Sequence, residues 1–292
     1  MTVQVTPLDA TLGAELGNVR LNDLDDETWG EVEDAFNEYG VLVLHDQYLS
    51  LDEQKAFGLR FGEFARYDGA SSVKSAGRET PQGDPVITVV GNIDKDGKHI
   101  TDPKDPYIRN GGGNEGWHSD SSFQRLGAKV SILAGIEVTK EGGQTEFADM
   151  RAAYDALPTE TTERLSGLRS WHSIRYSRTA LGANDQDLPE DPTTLPGAEH
   201  SMVRHHPVTG RPSLVLGSHV CHIFGMDTAE GQRLARDLME EACQPPRVYS
   251  HTWHEGDVVL WDNRCVLHRA RPYDLSERRL LQHVRIVGDV EF

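Results

Sequence analysis

Two short segments far apart in the chain carry residue types that could hold a redox-active metal ion. Trp117–Asp120 contains a histidine and an aspartate two positions apart, and Trp261–His268 ends on a second histidine. On a strand, positions i and i+2 point to the same face, so His118 and Asp120 could reach one ion. Two imidazoles and one carboxylate cover one face of Fe(II) and leave the other open for a co-substrate and oxygen. We therefore expect His118, Asp120 and His268 to be metal ligands in the catalytic centre of an oxygenase.

The surroundings of these residues favour the same metal-binding interpretation. The first segment follows a glycine-rich loop, Gly111–Gly113, and precedes a series of strands, which is where the mouth of a cleft is expected. The strand and turn of Gly256–Asn263 lead directly to His268, which makes it the preferred third ligand. Other histidines are weaker candidates, since His251 and His254 bracket a turn and are expected to face solvent.

Composition limits the partners and the location of the chain. A formal net charge of −18 over 292 residues argues against nucleic-acid and anionic-membrane partners, because both require a basic surface. Three cysteines without CxxC spacing are typical of a reducing cytoplasm. No apolar run is long enough to span a bilayer, and the first residues lack the regions of a secretory signal. We expect a cytoplasmic protein that acts on a small molecule.

The pattern of predicted elements favours a mainly β fold. Helices are predicted at residues 26–39, from Ser50 to near Gly62, and at Met150–Leu157 and Ala229–Ala242. Many short strands with few helices among them indicate a sandwich or jelly roll rather than a parallel α/β sheet. The predicted strands are Val41–Leu44, Val86–Val90, Val130–Val138, Thr145–Ala148, Ser170–Tyr176, Met202–His206, Ser213–Leu216, Val248–Trp253, Asp257–Trp261 and Leu280–Val287.

Long segments rich in glycine, proline and charged residues separate some of these elements. We expect a single domain over residues 1–292, with the loops at about 66–116 and an insertion at about 177–200 forming the rim of the pocket. Long ordered loops in compact domains are often functional, which is why they are expected at the site.

Four segments resemble, in their order and spacing, the signatures of the taurine and chlorophenoxyacetate dioxygenases. They are Trp117–Asp120, Gly142–Asp149, His206–Arg211 and Trp261–Arg279. The resemblance covers nearly the whole chain, from about residue 7 to 289, and looks closest to the aryloxyalkanoate dioxygenases. It implies a double-stranded β-helix (a cupin-like jelly roll) with flanking helices. It also implies Fe(2+), 2-oxoglutarate as co-substrate, O2, and assembly as a homo-oligomer.

Carried over by position, the resemblance assigns roles to five residues. His118, Asp120 and His268 match the iron ligands of the family. Arg279, eleven residues after His268, matches the arginine that pairs with the distal carboxylate of 2-oxoglutarate. A planar guanidinium suits that task because it can donate two parallel hydrogen bonds to a carboxylate. Thr145 matches a threonine whose hydroxyl also holds the co-substrate.

The substrate contacts of the family match this chain less completely. Fifteen positions after the last metal ligand, where the family often has a substrate-binding arginine, this chain has His283, and an arginine follows at Arg285. Both share a strand face with the co-substrate arginine, so either residue is a candidate for binding a substrate anion. Tyr67 and Asn92 fall where substrate contacts lie in the N-terminal loops. His219 falls where a pocket histidine occurs in the chlorophenoxyacetate enzymes.

The implied reaction is hydroxylation of a C–H bond in a small, carboxylate-bearing, aryloxyalkanoate-like substrate, with release of succinate and CO2. A hydroxyl next to an ether oxygen gives a hemiacetal that collapses and cleaves the ether. The same chemistry on an amino acid or a natural-product intermediate is the main alternative. A zinc-dependent cupin-like hydrolase is another, since zinc also accepts two histidines and a carboxylate, although Arg279 and Thr145 have no evident purpose there. A non-catalytic binding jelly roll is the third.

Overall fold

Strands dominate the computed structural model, which describes residues 2–65 and 86–288. Within those residues the strands are β1 (Gln4–Pro7), β2 (Ala14–Gly17), β3 (Val41–Leu44), β4 (Thr88–Gly91), β5 (Ala128–Glu137), β6 (Thr145–Asp149), β7 (Arg169–His172), β8 (Ala198–Ser201), β9 (Val203–His205), β10 (Pro212–Leu214), β11 (Val220–Ile223), β12 (Val248–His251), β13 (Val258–Asp262), β14 (Val266–Ala270) and β15 (Leu280–Val287). The helices are α1 (Asp26–Tyr39), α2 (Leu51–Phe61), α3 (Pro106–Gly112), α4 (Met150–Asp155), α5 (Thr159–Ser166), α6 (Ile174–Ala180) and α7 (Thr228–Ala242). Short 3₁₀ turns lie at Gly113–Glu115 and Pro192–Thr194.

The strands form two layers. A seven-stranded sheet in the order β1-β2-β3-β13-β5-β15-β4 makes the first layer, and all its pairs are antiparallel except β2–β3. The sheets β12-β6-β14 and β11-β7-β8 and the hairpin β9–β10 supply the remaining strands. Together with its structural neighbours, described below, this arrangement confirms the prediction of a mainly β jelly-roll core with flanking helices.

The strand β3 shows how an uninterrupted apolar run sits in the middle of this fold. Because side chains alternate across a strand, Leu42 and Leu44 point one way and pack with the buried faces of α1 and α2. Val41 and Val43 point the other way and pack against Phe147 of β6, between the two layers. All four residues of β3 are therefore buried. Because both faces of the strand are covered, its sequence is apolar throughout and does not alternate between apolar and polar residues.

The two N-terminal helices begin and end where the sequence predicted. Ser50 and Glu53 form both hydrogen bonds of a capping box at the start of α2. Helix α1 ends at Gly40, which has a left-handed backbone with φ of 72° that glycine adopts without strain. Neither these nor any other helix of the described residues is long and apolar enough to cross a membrane.

Three predicted segments differ from the structure. The strand predicted at Ser170–Tyr176 ends at His172, and α6 follows it at once. Ser173 caps this helix by accepting a hydrogen bond from the Tyr176 amide, and the cap outweighs the strand preference of the aromatic and branched residues. The loop region predicted at about 66–116 contains α3. The insertion predicted at 177–200 contains the second half of α6 and also contributes β8 to a sheet.

We predict that Phe57→Ala lowers the free energy of unfolding by about 3–5 kcal/mol, because it removes a large side chain from a packed core. Phe57 is 2% exposed and makes edge-on contacts with Trp29 and Phe61. Leu59→Ala on the same helix is the matched control, since Leu59 is 56% exposed. Denaturant titration of both variants measures the difference. Equal losses of stability would contradict the assignment of this core.

Candidate active site

The two sequence-distant metal-ligand candidates are joined through the backbone. The His118 amide donates to the His268 carbonyl at 3.0 Å, and the His268 amide donates back to the His118 carbonyl at 2.9 Å. His268 also pairs with Phe147 of β6, so this isolated bridge lies on the other edge of β14. The prediction that His118 and Asp120 share a strand face was wrong, because the chain turns at Asp120 and Ser121 has a φ of 58°. The turn, rather than strand alternation, directs the carboxylate toward the imidazoles.

His118, Asp120 and His268 form a buried cluster whose ligand atoms all lie within 4.8 Å of one another. His118 Nδ1 lies 2.8 Å from the Gly116 carbonyl, which fixes a proton on Nδ1 and leaves the Nε2 lone pair for a metal. Burial lowers the pKa of both imidazoles, so they are neutral at physiological pH. This donor set fits Fe(II), because neutral imidazoles and a carboxylate are the ligands that the ion accepts.

The carboxylate of Asp120 is positioned by a buried polar network. Its Oδ2 atom accepts a hydrogen bond from Ser131 at 2.6 Å, and its backbone amide donates to the Asn263 side chain at 3.0 Å. Asn263 also donates to Ser131 and accepts from the Trp261 indole. Burial alone would raise the pKa of Asp120, but interactions with nearby basic side chains, led by His268 and His283, hold this pKa well below its ordinary value. The carboxylate is therefore ionised and held in one orientation.

Two other groups of side chains in the described residues have metal-ligand spacing, but neither lines the cavity that contains His118, Asp120 and His268. The first, at the surface, is His45, His254 and Asp257, and the second, fully buried, is His206, Asp262 and Cys265. Asp262 is already paired with His206 at 2.8 Å and with Arg264 at 2.7 Å. The pairing with His206 connects the segment His206–Arg211 with the segment Trp261–Arg279. Both pairings hold in place the turn that leads to His268. The expectation of a solvent-facing histidine holds for His254 and is wrong for His251, which is buried.

Arg279 lies in the wall of the same cavity, at the start of β15. Its side chain donates to the Val90 carbonyl at 3.3 Å and to the Gly143 carbonyl at 2.9 Å, and it lies 5.2 Å from the Tyr273 ring centroid. Burial lowers the pKa of Arg279 to about 10, so it stays charged at neutral pH. Among residues 2–65 and 86–288 no carboxylate pairs with it. A buried guanidinium with only carbonyl partners favours the binding of an anionic ligand.

Thr145 lies in the same cavity, and its hydroxyl is oriented by a residue that the sequence analysis missed. The indole nitrogen of Trp253 lies 3.0 Å from Thr145 Oγ1. An indole N–H is only a donor, so the threonine oxygen must accept, and its own proton is left to point elsewhere. Since Thr145 lines the cavity, that proton is available to an acceptor on a ligand. The WxxGD pattern that starts at Trp253 was interpreted only as a hairpin.

The predicted substrate-contact residues do not all reach the cavity. His219, His283 and Arg285 line it together with the metal and co-substrate candidates. His283 Nε2 lies 3.3 Å from Asp120 Oδ2, so it adjoins the metal cluster. Asn92 is fully buried behind the wall, where its side-chain oxygen accepts from the Arg279 amide at 2.8 Å. The structure thus gives Asn92 a bracing position and not a place in the cavity, whereas Tyr67 lies outside the described residues.

Comparison with known proteins places this geometry in a family. The sequence profile of the family described as "Taurine catabolism dioxygenase TauD, TfdA family" matches residues 4–285. The chain belongs to this family. It is 40% identical to (S)-phenoxypropionate/alpha-ketoglutarate-dioxygenase of Sphingobium herbicidovorans, over 98% of this chain and 95% of that protein. It is 38% identical to the alpha-ketoglutarate-dependent 2,4-dichlorophenoxyacetate dioxygenase of Cupriavidus pinatubonensis, over 99% of both chains.

A solved structure agrees with these matches. The crystal structure of AAD-2 in complex with Mn(II) and N-oxalylglycine superposes with a TM-score of 0.86 at 38% identity, covering 100% of this chain and 98% of that one. The expected family, the jelly-roll fold and the class of 2-oxoglutarate-dependent non-haem iron dioxygenase are therefore confirmed. The expected cofactors, Fe(2+), 2-oxoglutarate and O2, are those of this class of enzyme, and the His118–Asp120–His268 cluster fits the metal.

We predict that alanine at His118, Asp120 or His268 abolishes Fe(II)-dependent formation of succinate, because each replacement removes one of three metal ligands. The bound-metal content should fall with it by about 10-fold or more in each variant. His254→Ala is the control, since it alters an exposed cluster of similar composition outside the cavity. Full activity and full metal content in any of the three variants would exclude that residue from the metal centre.

We predict that Arg279→Gln raises the KM for 2-oxoglutarate by about 10- to 100-fold. That factor corresponds to the binding free energy lost with a hydrogen bond between charged groups. Trp253→Phe should raise the same constant by a smaller factor, on the order of 5-fold, because it frees the Thr145 hydroxyl to donate elsewhere. Steady-state kinetics with 2-oxoglutarate as the varied substrate measures both effects. Equal increases in the KM for the primary substrate would contradict both roles.

Proposed function

We propose that this protein hydroxylates the carbon that lies between the carboxylate and the ether oxygen of a small aryloxyalkanoic acid. The observation that carries the proposal is one cavity that joins a His-Asp-His cluster, a buried arginine facing no acid of the described residues, and further basic side chains. Two similar enzymes carry names that specify phenoxypropionate and 2,4-dichlorophenoxyacetate. Substrates of that kind have both the anionic group and the reactive C–H bond that such a cavity suits.

In this proposal His118, Asp120 and His268 hold the iron, and Arg279 and Thr145 hold the far carboxylate of 2-oxoglutarate. When bound, Fe(II) with 2-oxoglutarate and oxygen supplies the oxidising power that inserts one oxygen atom into a C–H bond. The other oxygen atom leaves in succinate, alongside CO2. Two hydrogen bonds support this assignment, because they fix Asp120 before any substrate arrives. Ser131 donates to the Asp120 carboxylate, and the Asp120 backbone amide donates to the Asn263 side chain.

The protein's own part in the reaction is to orient the substrate and exclude water. Apolar side chains of Val89, Phe123 and Ile174 line the cavity and offer a surface for an aromatic ring. Basic side chains line the same cavity as the metal cluster, so we expect an acid with an aryl tail to bind with its polar end toward that cluster. A C–H bond held in this way is exposed to the oxidant while bulk water is kept out.

The chemistry of the product follows from the position of the new hydroxyl. A carbon that carries both a hydroxyl and an aryl ether oxygen is a hemiacetal or hemiketal, which collapses to a phenol and an oxo acid. An aryloxyalkanoate, 2-oxoglutarate and O2 would therefore give a phenol, an oxo acid, succinate and CO2. No additional acid or base is required for the collapse, because the phenolate is a good leaving group.

Three broader expectations stay predictions alongside this one. We propose a cytoplasmic location, which is supported by three free cysteines. A single domain over residues 1–292 is supported by the family match from residue 4 to 285. Assembly as a homo-oligomer stays an expectation from the family resemblance, and size-exclusion chromatography with light scattering tests it directly.

The proposed function is tested by supplying the purified protein with Fe(II), ascorbate, 2-oxoglutarate and oxygen. The candidate acids are (R)- and (S)-2-phenoxypropionate, 2,4-dichlorophenoxyacetate and taurine. We expect at least one aryloxyalkanoate to raise the rate of succinate formation well above the rate without substrate, with an equal amount of phenol released. Stimulation by taurine alone, or succinate without phenol, would contradict the proposal.

A further inference from the structure

We propose that Arg178 of α6 binds the carboxylate of the primary substrate, in a subsite completed by Asn114 and made possible by Gly113. This inference deepens the proposed function and rests on it for the identity of the acid. None of these residues was expected at the site from the sequence, where 177–200 was predicted only as part of the rim. The ligand of the subsite is a carboxylate directly attached to the carbon that reacts.

The guanidinium of Arg178 is held in the cavity wall by its surroundings. Its Nη2 atom donates to the Asn114 side-chain oxygen at 2.7 Å, and both residues line the cavity that contains the metal cluster. A Cβ atom added to Gly113 would overlap Nη1, Cζ and Cδ of Arg178. The glycine is therefore required where it stands, because the arginine side chain occupies the space of the missing Cβ. This accounts for one glycine of the Gly111–Gly113 run noted in the sequence.

Helix α6 is tied to the metal side of the cavity by the residue before the arginine. Ser177 Oγ lies 2.7 Å from His219 Nδ1, and the His219 ring centroid is 5.6 Å from that of His118. The charge of Arg178 is also one of the causes that lower the pKa of His118 and of His219, after burial. Arg178 is thus close enough to the metal cluster to act on it electrostatically.

The chemistry of the proposed substrate requires a cation at such a position. In an aryloxyalkanoate the reacting carbon is bonded directly to the carboxylate carbon, so the anion must lie beside the metal cluster when the C–H bond faces it. The aryl group extends from the same carbon through the ether oxygen toward apolar wall. Ile174 lines the cavity one turn before Arg178 on α6, so a single short helix would contact both ends of the substrate.

The other basic residues of the cavity are either assigned elsewhere or tested as alternatives. Arg279 is committed to 2-oxoglutarate in the proposed function. His283 adjoins the Asp120 carboxylate, with Nε2 3.3 Å from Oδ2. Arg285 also lines the cavity, and its replacement below tests it as the alternative cation. Arg178 is preferred because its guanidinium is fixed in the wall by Asn114 and because α6 is anchored beside the metal cluster.

The test measures binding without turnover, using the Mn(II)-loaded protein with saturating 2-oxoglutarate. Calorimetric titration with 2,4-dichlorophenoxyacetate and with its neutral amide gives the ratio of the two dissociation constants. We expect the wild-type protein to prefer the acid by about 10- to 100-fold, and Arg178→Gln to lose most of that preference. Arg178→Lys should keep part of it, because charge remains while the planar geometry is lost.

Matched variants separate the subsite from a general effect on charge or folding. Arg175 lies on the same helix, is exposed and contacts Gln186. Arg175→Gln should therefore leave the ratio of the two dissociation constants unchanged. Gly113→Ala should lower the preference without removing the arginine, because the added methyl displaces the guanidinium. It also tests the subsite if Arg178→Gln fails to fold. In every variant the dissociation constant of 2-oxoglutarate should stay within about 3-fold of the wild type.

An unchanged acid-to-amide ratio in Arg178→Gln and Gly113→Ala would overturn the inference. Loss of the preference in Arg285→Gln but not in Arg178→Gln would overturn it as well, as would a large change in 2-oxoglutarate affinity on replacing Arg178. A wild-type protein that binds the acid through Arg178 yet forms no phenol would instead contradict the proposed function and leave the anion subsite standing.

Discussion

The active site depends on two backbone hydrogen bonds that pair His118 with His268. They join a segment between loops to β14 and bring together side chains that lie 150 positions apart in the sequence. Backbone pairing fixes the separation and direction of both Cα–Cβ bonds, so the imidazoles converge without help from a bound ion. The cluster is therefore preorganised by the fold, and Asp120 needs only a local turn to join it.

Buried polar groups around this pairing position the Asp120 carboxylate. No acid of the described residues neutralises Arg279, the cation proposed to bind the co-substrate. Ser131 donates to the Asp120 carboxylate, and Asn263 accepts from the Asp120 backbone amide and donates to Ser131. These hydrogen bonds connect the first motif to the second. Arg279 instead contacts backbone carbonyls, which hold its position without cancelling its charge. A buried charge without an ionic partner lowers the stability of the protein while no ligand is bound. Binding of an anionic co-substrate would offset that loss of stability.

The sequence predicted the site residues that stand out by chemical type, and it missed the neighbours that only the folded chain brings close. His118, His268 and Arg279 were recognisable from their types, order and spacing, and the apolar run of β3 from its hydrophobicity. The contact between Arg178 and Gly113 was not recognisable. A glycine that makes room for a side chain 65 positions later leaves no local pattern in the sequence. The turn at Asp120 was missed for a related reason. A histidine and an aspartate two positions apart fit a strand equally well, and only tertiary pairing decides between them.

The most direct test of the central claim is a crystal structure of the protein grown without oxygen in the presence of Fe(II) and 2-oxoglutarate. We predict one iron bound by the imidazoles of His118 and His268 and the carboxylate of Asp120, with the far carboxylate of 2-oxoglutarate on Arg279. Iron bound instead at His45, His254 and Asp257, or a His268 ring turned away from the ion, would contradict the account.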